Sequence, residues 1–297
     1  MGETQEYEAP VGFVGLGLLG TALCERLLGA GYPVVVYNRT RAKAEPLIAR
    51  GARWSENPLA ECDRVVVCLF TTAVVADVLE QMQSGLRAGQ ILIDTTTGDP
   101  VETAALGQRL AERGVQYLES PIAASSEQTR RGEALALVAG PAAAFEACRD
   151  LFACLAAKAH HVGPWGNAAK VKLVNNLIVG LNRLALAEGL AFAKAIGLDA
   201  AKTLEVLREG NASSVAMEVK GHKMVAGDFT VQAKLSQHAK DVRIMLDEAA
   251  RAGTKLPMSE LHLRLLEEAE AAGWGELDNS AIVRVFERRA ESRPESG

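Results

Sequence analysis

The sequence predicts an α/β domain with a doubly wound parallel sheet, followed by an all-α C-terminal domain. In the first half, short apolar runs rich in β-branched residues alternate with helical runs, which is typical of a parallel sheet covered by helices on both faces. A glycine-rich turn separates the first strand from the first helix. Beyond about residue 166 no convincing strand pattern remains, and a long run with helical periodicity begins.

The first-half elements follow one another in the order that a doubly wound sheet requires. Strands are predicted at Val11–Val14, Val34–Tyr37, Arg64–Phe70, Ile91–Asp94, Val115–Ser120 and Ala134–Gly140. Helices are predicted at Leu19–Ala30 and Arg41–Arg50. We interpret the pair His160-His161 as the end of a further strand rather than a site.

The second half is predicted to be helical. Helices are expected at about Ala168–Ile196, Ala200–Glu209, Ser213–Lys223, Leu235–Ala252 and Met258–Ala272. The predicted division is a disordered lead-in over residues 1–9, a nucleotide-binding domain over 10–166, and a substrate and oligomerisation domain over 167–297 that opens with the long helix. The last ten residues, from Arg288, are expected to fray.

Composition and charge exclude several classes of function. The net charge is -5 and the cationic residues are spread along the chain, which does not favour nucleic acid or an anionic membrane surface. No uninterrupted apolar run reaches the roughly 18 residues of a membrane helix, so no membrane contact is expected. Five cysteines without CxxC spacing predict a reduced, cytoplasmic protein, and the five histidines lack metal-ligand spacing, so no metal is expected.

The glycine-rich turn predicts a dinucleotide site. Its residues are Gly15, Leu16, Gly17, Leu18, Leu19 and Gly20, which form a GxGxxG motif between a strand and a helix. The first glycine permits the tight turn, the second lets the backbone approach a pyrophosphate, and the third allows the helix to pack closely on the strand. This context predicts a Rossmann-type domain.

The end of the second strand predicts which dinucleotide is bound. An acidic residue there would accept hydrogen bonds from the ribose 2′-hydroxyl of NAD. This chain has Asn38, Arg39 and Thr40 instead, with Lys43 one turn further on. Two cations and a hydroxyl suit a 2′-phosphate, so NADP is expected in preference to NAD.

Two polar segments supply candidates for the chemistry. In IDTTTGDP (Ile93–Pro100), three threonines follow a strand at the sheet edge where ligands bind. In GNAAKVKLVNN (Gly166–Asn176), Lys172 and Asn176 are four residues apart and share a helix face. When hydride reaches a carbonyl carbon, the oxygen needs a proton and a cationic neighbour, and a lysine ammonium supplies both. On spacing alone a solvated pair remains the alternative.

Ordered motifs along the chain resemble one enzyme family. They are GFVGLGLLGTAL, NRTRAK, IDTTTGDP, ESPIAASSEQTRRGEALALVAG, GNAAKVKLVNN and AKDVRIMLDEA. From Val11 to about Met258 the chain is similar to the β-hydroxyacid dehydrogenases, which include 3-hydroxyisobutyrate dehydrogenases, tartronate semialdehyde reductases and glyoxylate/succinic semialdehyde reductases. The NRTxxK pattern resembles that of the NADPH-using members.

The resemblance implies roles for individual residues. Lys172 matches the family's catalytic lysine, which donates a proton in reduction and accepts one in oxidation. Asn176 matches a substrate-binding asparagine. Positions expected beside the cofactor are Leu69 and Phe70 at the end of the strand that begins at Arg64, Thr71 directly after it, Thr97 after the next strand, and Lys240 in the AKD motif. The family also implies a homodimer or homotetramer with contacts through the helical domain.

One segment departs from the family's pattern. Members commonly have D-A-P-V-S-G-G where the substrate carboxylate binds, and this chain has Ala123, Ala124 and Ser125 at the last three positions. Ala123 lacks the serine hydroxyl, and Ser125 or Ser126 is the candidate to replace it. The departure bears on the substrate rather than on the fold.

These observations lead to one expected function and two alternatives. We expect a NADPH-dependent reductase of a small aldehyde or keto acid, with its active site between the α/β domain and the long helix. An imine reductase would share this architecture and an NRT-like cofactor end, and the altered segment from Ala123 to Ser125 gives it some weight. Retention of Lys172 and Asn176 argues against it. A non-catalytic nucleotide-binding module is the third interpretation.

Overall fold

A computed structural model describes residues 9–291. The chain divides into two compact units, Met1–Lys172 and Leu173–Gly297. The expected lead-in lies outside the described residues apart from Ala9, as do the last six positions of the expected C-terminal tail. The predicted boundary after residue 166 is the point where the long helix begins, and the division between the units falls six residues later, inside that helix.

A six-stranded, wholly parallel sheet organises the first unit, as predicted. Its strands are β1 (Val11–Val14), β2 (Val34–Tyr37), β3 (Arg53–Trp54), β4 (Arg64–Val67), β5 (Ile91–Asp94) and β6 (Gln116–Glu119). The spatial order is β3-β2-β1-β4-β5-β6, so the direction of winding reverses between β1 and β4. A crevice for ligands forms at this reversal, outside the carboxyl ends of the strands.

Helices surround the sheet, and both of its faces are buried. The helices are α1 (Leu18–Gly29), α2 (Glu45–Ile48), α3 (Pro58–Glu61), α4 (Thr72–Gln81), α5 (Pro100–Glu112), α6 (Ser126–Arg130), α7 (Ala142–Ala147) and α8 (Arg149–Leu155). Because strand side chains alternate between faces, Val66 lies in one apolar cluster with Leu23, and Val65 and Val67 lie in another with Leu59. This explains why the strands read as continuous apolar runs.

The prediction that Ala134–Gly140 continues the parallel sheet is wrong. The strands β7 (Ile122–Ala123), β8 (Leu135–Val138) and β9 (Lys158–His161) form a separate three-stranded sheet. In it β8 is antiparallel to β7 and parallel to β9. An apolar strand reads the same whichever sheet it joins, so the pattern could not distinguish the two. His161 ends β9, in agreement with the interpretation of the histidine pair as a strand end.

Two predicted boundaries in the first unit need correction. The helix expected over Arg41–Arg50 is a 3-10 turn at Arg41–Lys43 followed by α2, with Pro46 in its first turn. Proline has no N–H to donate to a preceding turn, so one continuous helix cannot form. The strand expected to end at Phe70 ends at Val67. The short β3 was not predicted.

The second unit is helical throughout its described residues. The helices are α9 (Asn167–Ala195), which begins in the first unit, α10 (Ala200–Glu209), α11 (Val215–Ala226), α12 (Leu235–Arg251), α13 (Pro257–Ala271) and α14 (Val283–Glu291). The expectation that the chain frays from Arg288 is wrong as far as Glu291, because α14 continues to that residue. Its start is anchored by Ile282 and Val283, which are buried with Leu190 and Leu266 in one apolar core.

Helix α9 corrects one expectation about membranes. It is 29 residues long, and by length and composition alone it is apolar enough to cross a bilayer. The expectation of no such segment counted uninterrupted apolar residues, whereas an 18-residue window of α9 has a mean hydropathy of 1.2. The core helix of a water-soluble protein meets the same criteria, so this property by itself identifies no membrane contact.

A buried ion pair crosses the core of the second unit. The Lys220 ammonium lies 2.9 Å from both carboxylate oxygens of Asp278, and their side chains are 6% and 0% exposed. Asp278 also accepts hydrogen bonds from the backbone N–H groups of Gln232, Ala233 and Ser280. Burial alone would raise the pKa of Asp278, but the ammonium and these donors outweigh it and hold the pKa below its usual value.

Replacing Asp278 with alanine should destabilise the protein strongly. The change removes the counter-ion of the Lys220 ammonium, which keeps the Gln232 side-chain oxygen as an acceptor, and leaves three backbone donors without theirs. Removing one partner of a buried pair costs about 3–5 kcal/mol. Chemical denaturation of Asp278→Ala measures the loss. Glu276→Ala, which removes an exposed pair with Lys234, is the control and should cost less than about 1 kcal/mol. Equal losses in the two variants would contradict the assigned role.

Candidate active site

The glycine turn is built for close backbone approach. Gly15 has a φ of +100°, and a Cβ there would lie 2.3 Å from the carbonyl oxygen of Cys68. A Cβ on Gly20 would lie 2.1 Å from the carbonyl oxygen of Gly15, so this glycine lets α1 pack against the turn. A Cβ on Gly17 would meet nothing within 4 Å. The turn therefore presents open backbone at the N-terminus of α1, and this fits a dinucleotide pyrophosphate.

Asn38 connects the glycine turn to the end of β2. Its side-chain oxygen accepts from the backbone N–H of Leu16 at 2.9 Å, and its side-chain nitrogen donates to the carbonyl oxygen of Thr40 at 2.9 Å. Arg39, Thr40 and Lys43 are exposed. Within residues 9–291, no hydrogen bond or ion pair engages the side chain of Arg39 or Lys43. The structure thus places two uncommitted cations beside the turn.

The segments after β4 and β5 are linked by threonine hydroxyls. The Leu69 N–H donates to the Thr96 hydroxyl at 3.0 Å, and the Thr95 hydroxyl donates to the carbonyl oxygen of Val67 at 2.9 Å. Thr97 follows directly and is half-buried. Since both segments leave the carboxyl edge of the sheet, the expected cofactor positions Leu69 and Thr97 lie on neighbouring strand ends.

Thr71 and Phe70 are two further positions expected beside the cofactor. Thr71 caps α4 by accepting a hydrogen bond from the Val74 N–H at 3.2 Å. Phe70 is 52% exposed. An exposed ring at the ligand-binding edge of the sheet is suited to cover a bound cofactor.

The residues of the substrate segment, where the chain departs from the family's pattern, have different environments. Ala123 ends β7, and Ala124 packs against the apolar core of the first unit. Ser125 caps α6: its hydroxyl accepts from the Gln128 N–H, and its own N–H donates to the Gln128 side chain. Ser126 is buried. Ser125 can therefore offer a ligand only its hydroxyl proton, so it replaces the missing serine in part.

Lys172 lies beside this segment. It belongs to α9, its side chain is 7% exposed, and its ammonium donates to the carbonyl oxygen of Ile122 at 2.7 Å. Ile122 directly precedes Ala123. The structure thus brings the predicted proton donor and the start of the substrate segment together within the first unit.

Asn176 and Lys240 meet in the second unit through Asp241, which the sequence analysis did not single out. The Asn176 side-chain nitrogen donates to one Asp241 oxygen at 2.9 Å, and the Lys240 ammonium lies 3.0 Å from the other. Asp241 is 6% exposed. Its position next to Lys240 in the AKD motif was the available signal, but only the packing of α9 on α12 shows that it orients Asn176.

Cysteine and metal chemistry have no support in the described part of the chain. All five cysteines are free, and burial raises the pKa of Cys24 to about 12 and that of Cys62 and Cys68 to about 11. These thiols are therefore poor nucleophiles at neutral pH. Among residues 9–291 no group of three His, Cys, Asp or Glu side chains could hold a metal ion.

The strand order, the glycine turn at the reversal and the attached helical unit define an NAD(P)-binding protein of two-unit architecture. Residues 10–163 match the family model described as the NAD-binding domain of 6-phosphogluconate dehydrogenase. Residues 166–286 match the model described as NAD-binding of NADP-dependent 3-hydroxyisobutyrate dehydrogenase. The chain belongs to the β-hydroxyacid dehydrogenase family.

Curated relatives include both enzymes and a nuclear factor. The chain is 30% identical to the probable 3-hydroxyisobutyrate dehydrogenase-like 1 of Arabidopsis thaliana over 94% of this chain and 85% of that protein. It is 28% identical to the 2-(hydroxymethyl)glutarate dehydrogenase of Eubacterium barkeri over 95% and 96%. It is also 28% identical to the cytokine-like nuclear factor N-PAC of Xenopus tropicalis over 93% of this chain, and it spans about half (53%) of that protein.

Solved structures show the same fold. A 3-hydroxyisobutyrate dehydrogenase from Salmonella typhimurium superposes with a TM-score of 0.87 at 23% identity, over 94% of this chain and all of that one. Psf3, solved in complex with NADP+ and 2-OPP, gives 0.85 at 28% identity over 93% and 99%. An imine reductase from Myxococcus stipitatus in complex with NADP+ gives 0.65 at 23% identity over 93% and 99%.

Two glycine substitutions should separate the fold from cofactor binding. Gly20→Ala places a methyl group in contact with the Gly15 carbonyl, so it should lower the melting temperature and abolish cofactor binding. Gly17→Ala meets open space and should leave the melting temperature nearly unchanged, while the methyl group keeps the pyrophosphate from the backbone. Thermal melts with cofactor titration by fluorescence test both. Full cofactor affinity in Gly17→Ala would refute this placement of the pyrophosphate.

Proposed function

We propose that the protein is a NADPH-dependent reductase that interconverts a small aldehyde or keto acid and its hydroxy acid, with Lys172 as the general acid and base. The observation that carries the proposal is the buried Lys172 ammonium, which donates to the carbonyl oxygen of Ile122 immediately before the substrate segment. A buried lysine beside a ligand segment is costly for the fold, which favours a chemical role.

The residues of this chain divide the work of the proposed reaction. The bound nicotinamide supplies the hydride. The Lys172 ammonium donates to the Ile122 carbonyl, which places it beside the segment proposed to bind the substrate. Lys172 gives a proton to the oxygen in reduction and takes one back in oxidation. Asn176, oriented by Asp241, positions the substrate from the same helix.

The substrate segment favours an acid whose carboxylate lies away from the aldehyde. The side chain of Ala123 cannot donate a hydrogen bond, and Ser125, whose hydroxyl oxygen caps α6, keeps only its hydroxyl proton for a substrate. One missing hydrogen bond to a charged group costs roughly 1.5–3 kcal/mol. Short acids such as tartronate semialdehyde should therefore react poorly, and longer ones such as succinic semialdehyde better. The naming of one relative as a 2-(hydroxymethyl)glutarate dehydrogenase supports a longer acid.

A non-catalytic nucleotide-binding module is the second candidate. It is favoured by one observation, namely that the N-PAC relatives are named as nuclear factors rather than as dehydrogenases. Retention of Lys172 with Asn176 favours catalysis. An imine reductase is favoured by the shared fold and by the altered segment at Ala123, Ala124 and Ser125, so it is tested as an outcome below.

We further propose that α9 mediates a homodimer in a reducing, cytoplasmic environment. In the second unit, α9 carries exposed residues at intervals of three and four, the spacing of a helix–helix seam. These are Val174, Ile178, Asn182, Ala185, Gly189 and Phe192, and the exposed Ile196 follows directly after the helix. A second copy of the chain would cover this apolar stripe. Analytical ultracentrifugation of the wild type and of the double variant Ile178→Glu/Phe192→Glu tests the association, because the variant should sediment as a monomer.

Lys172→Ala should abolish turnover without harming the fold. Loss of a positioned acid lowers kcat by at least about 100-fold, while the affinity for NADPH should stay nearly the same. Turnover is measured with NADPH on glyoxylate, succinic semialdehyde and a cyclic imine. Lys194→Ala, which removes an exposed ion pair with Glu287 near the other end of the same helix, is the matched control. Turnover of the imine alone would favour an imine reductase, and NADPH binding without any turnover would favour the non-catalytic module.

Arg39→Ala should weaken NADPH selectively. A charge-assisted hydrogen bond to a 2′-phosphate is worth roughly 1.5–3 kcal/mol, so KM for NADPH should rise about 10- to 100-fold while KM for NADH stays nearly constant. Steady-state kinetics with both cofactors measure the difference. Arg41→Ala is the control, because Arg41 lies over the Trp54 ring and beside Glu45. A similar loss for both cofactors would show that Arg39 does not contact the phosphate.

A further inference from the structure

We propose that Glu119 is the positioning residue for Lys172: its carboxylate holds the first turn of α9 on the end of β6 and thereby sets where the lysine ammonium lies. The inference rests on the proposed function, because it assigns to Glu119 an effect on the reaction through Lys172. Nothing in the sequence analysis gave Glu119 a role.

The carboxylate of Glu119 caps α9 from a different segment of the chain. One of its oxygens accepts from the Gly166 N–H at 2.6 Å, and the other accepts from the Ala169 N–H. The first N–H groups of a helix have no partner inside the helix, and a negative charge is favourable at that end. Glu119 therefore satisfies two donors at the start of a 29-residue helix.

Further contacts on both sides of this cap run along the same two segments. The Trp165 ring N–H donates to the carbonyl oxygen of Tyr117 at 2.8 Å, and the Lys172 ammonium donates to that of Ile122 at 2.7 Å. Ala169 is three residues before Lys172, so the two lie on one side of the helix. Hydrogen bonds therefore connect the segment from Tyr117 to Ile122 with the start of α9 at three points: before Glu119, at Glu119 and after it.

The position of the Lys172 ammonium depends on this joint, by which we mean the contacts of Glu119 at the end of β6 with Gly166 and Ala169 at the start of α9. The Lys172 side chain is buried, and its hydrogen bond to Ile122 requires the first turns of α9 to keep their register with the strand. A misplacement of about 1 Å at a reacting group can cost 100-fold in rate. Loss of the cap should therefore lower kcat while the glycine turn, which binds the cofactor, remains intact.

The ionisation state of Glu119 gives the joint a pH dependence. Its side chain is 1% exposed, and burial raises its pKa to about 7, although the two backbone donors oppose the rise. The ionisable groups that face it are Asp94 on β5, Tyr117 on β6 and Lys170 on α9. Above this pKa both carboxylate oxygens accept N–H donors. Below it one oxygen carries a proton and can no longer accept as well.

Glu119→Gln and Glu119→Asp test the inference. Glutamine mimics the protonated form, since its amide nitrogen cannot accept an N–H. We expect kcat of Glu119→Gln to be about 10- to 100-fold below the wild type at pH ~8.5, with KM for NADPH changed less than about twofold. The ratio of the two kcat values should approach one as the pH falls below ~6, because the wild-type carboxyl is then protonated as well. Aspartate, the residue common at this position in the family, should restore most of kcat at high pH.

A destabilised control separates positioning from general damage. Leu151→Ala creates a cavity in the apolar core of the first unit and lowers stability without touching α9. Its kcat should show no change in pH dependence. A constant wild-type to Glu119→Gln ratio across pH, or a loss in Glu119→Asp equal to that in Glu119→Gln, would overturn the inference.

The remaining outcomes are also decisive. If Glu119→Gln does not fold, Glu119→Asp is the test. The apparent pKa near 7 in the pH dependence of kcat must then shift, because a different carboxyl group titrates. An unchanged apparent pKa overturns the inference. If Lys172→Ala retains full turnover, the proposed function fails. If Lys172→Ala is inactive but Glu119→Gln behaves as the wild type at every pH, only the role of Glu119 fails.

Discussion

The joint between the end of β6 and the first turn of α9 is the interaction on which the candidate site depends. A parallel sheet brings its carboxyl ends to one edge, but a residue on a following helix reaches that edge only if the start of the helix is held there. Glu119, which is buried, supplies the negative charge that the helix start requires. Its burial is tolerated because both of its oxygens have N–H partners, as a buried carboxylate requires.

The reversal of strand order explains the rest of the geometry. The strand order reverses between β1 and β4, and the Gly15 turn fits there against the backbone of Cys68 with no room for a side chain. The neighbouring ends of β4 and β5 are connected by hydrogen bonds of threonine hydroxyls. Polar contacts of this kind do not add greatly to stability, but they fix the shape of an edge that would otherwise be irregular.

Much of this could be predicted from the sequence, and the misses have physical reasons. Helical periodicity is strong in long runs, so α9 and α10 were placed to within a residue or two. The strand over Ala134–Gly140 was assigned to the wrong sheet because apolar character does not encode pairing partners. Glu119 and Asp241 were missed because a single carboxylate carries no pattern. Only the folded chain shows that one meets backbone donors of α9 and the other meets Asn176.

The arrangement around Asn38 has a consequence for how this protein can evolve. Asn38 is tied at both ends to backbone groups, so its replacement disturbs the turn itself. Arg39 and Lys43 are exposed, and in the described residues they support nothing else. Surface changes of this kind usually shift stability by no more than about 0.5 kcal/mol. Mutational drift at these two positions is therefore almost neutral for folding, and a lineage could exchange one nicotinamide nucleotide for the other without compensating changes in the core.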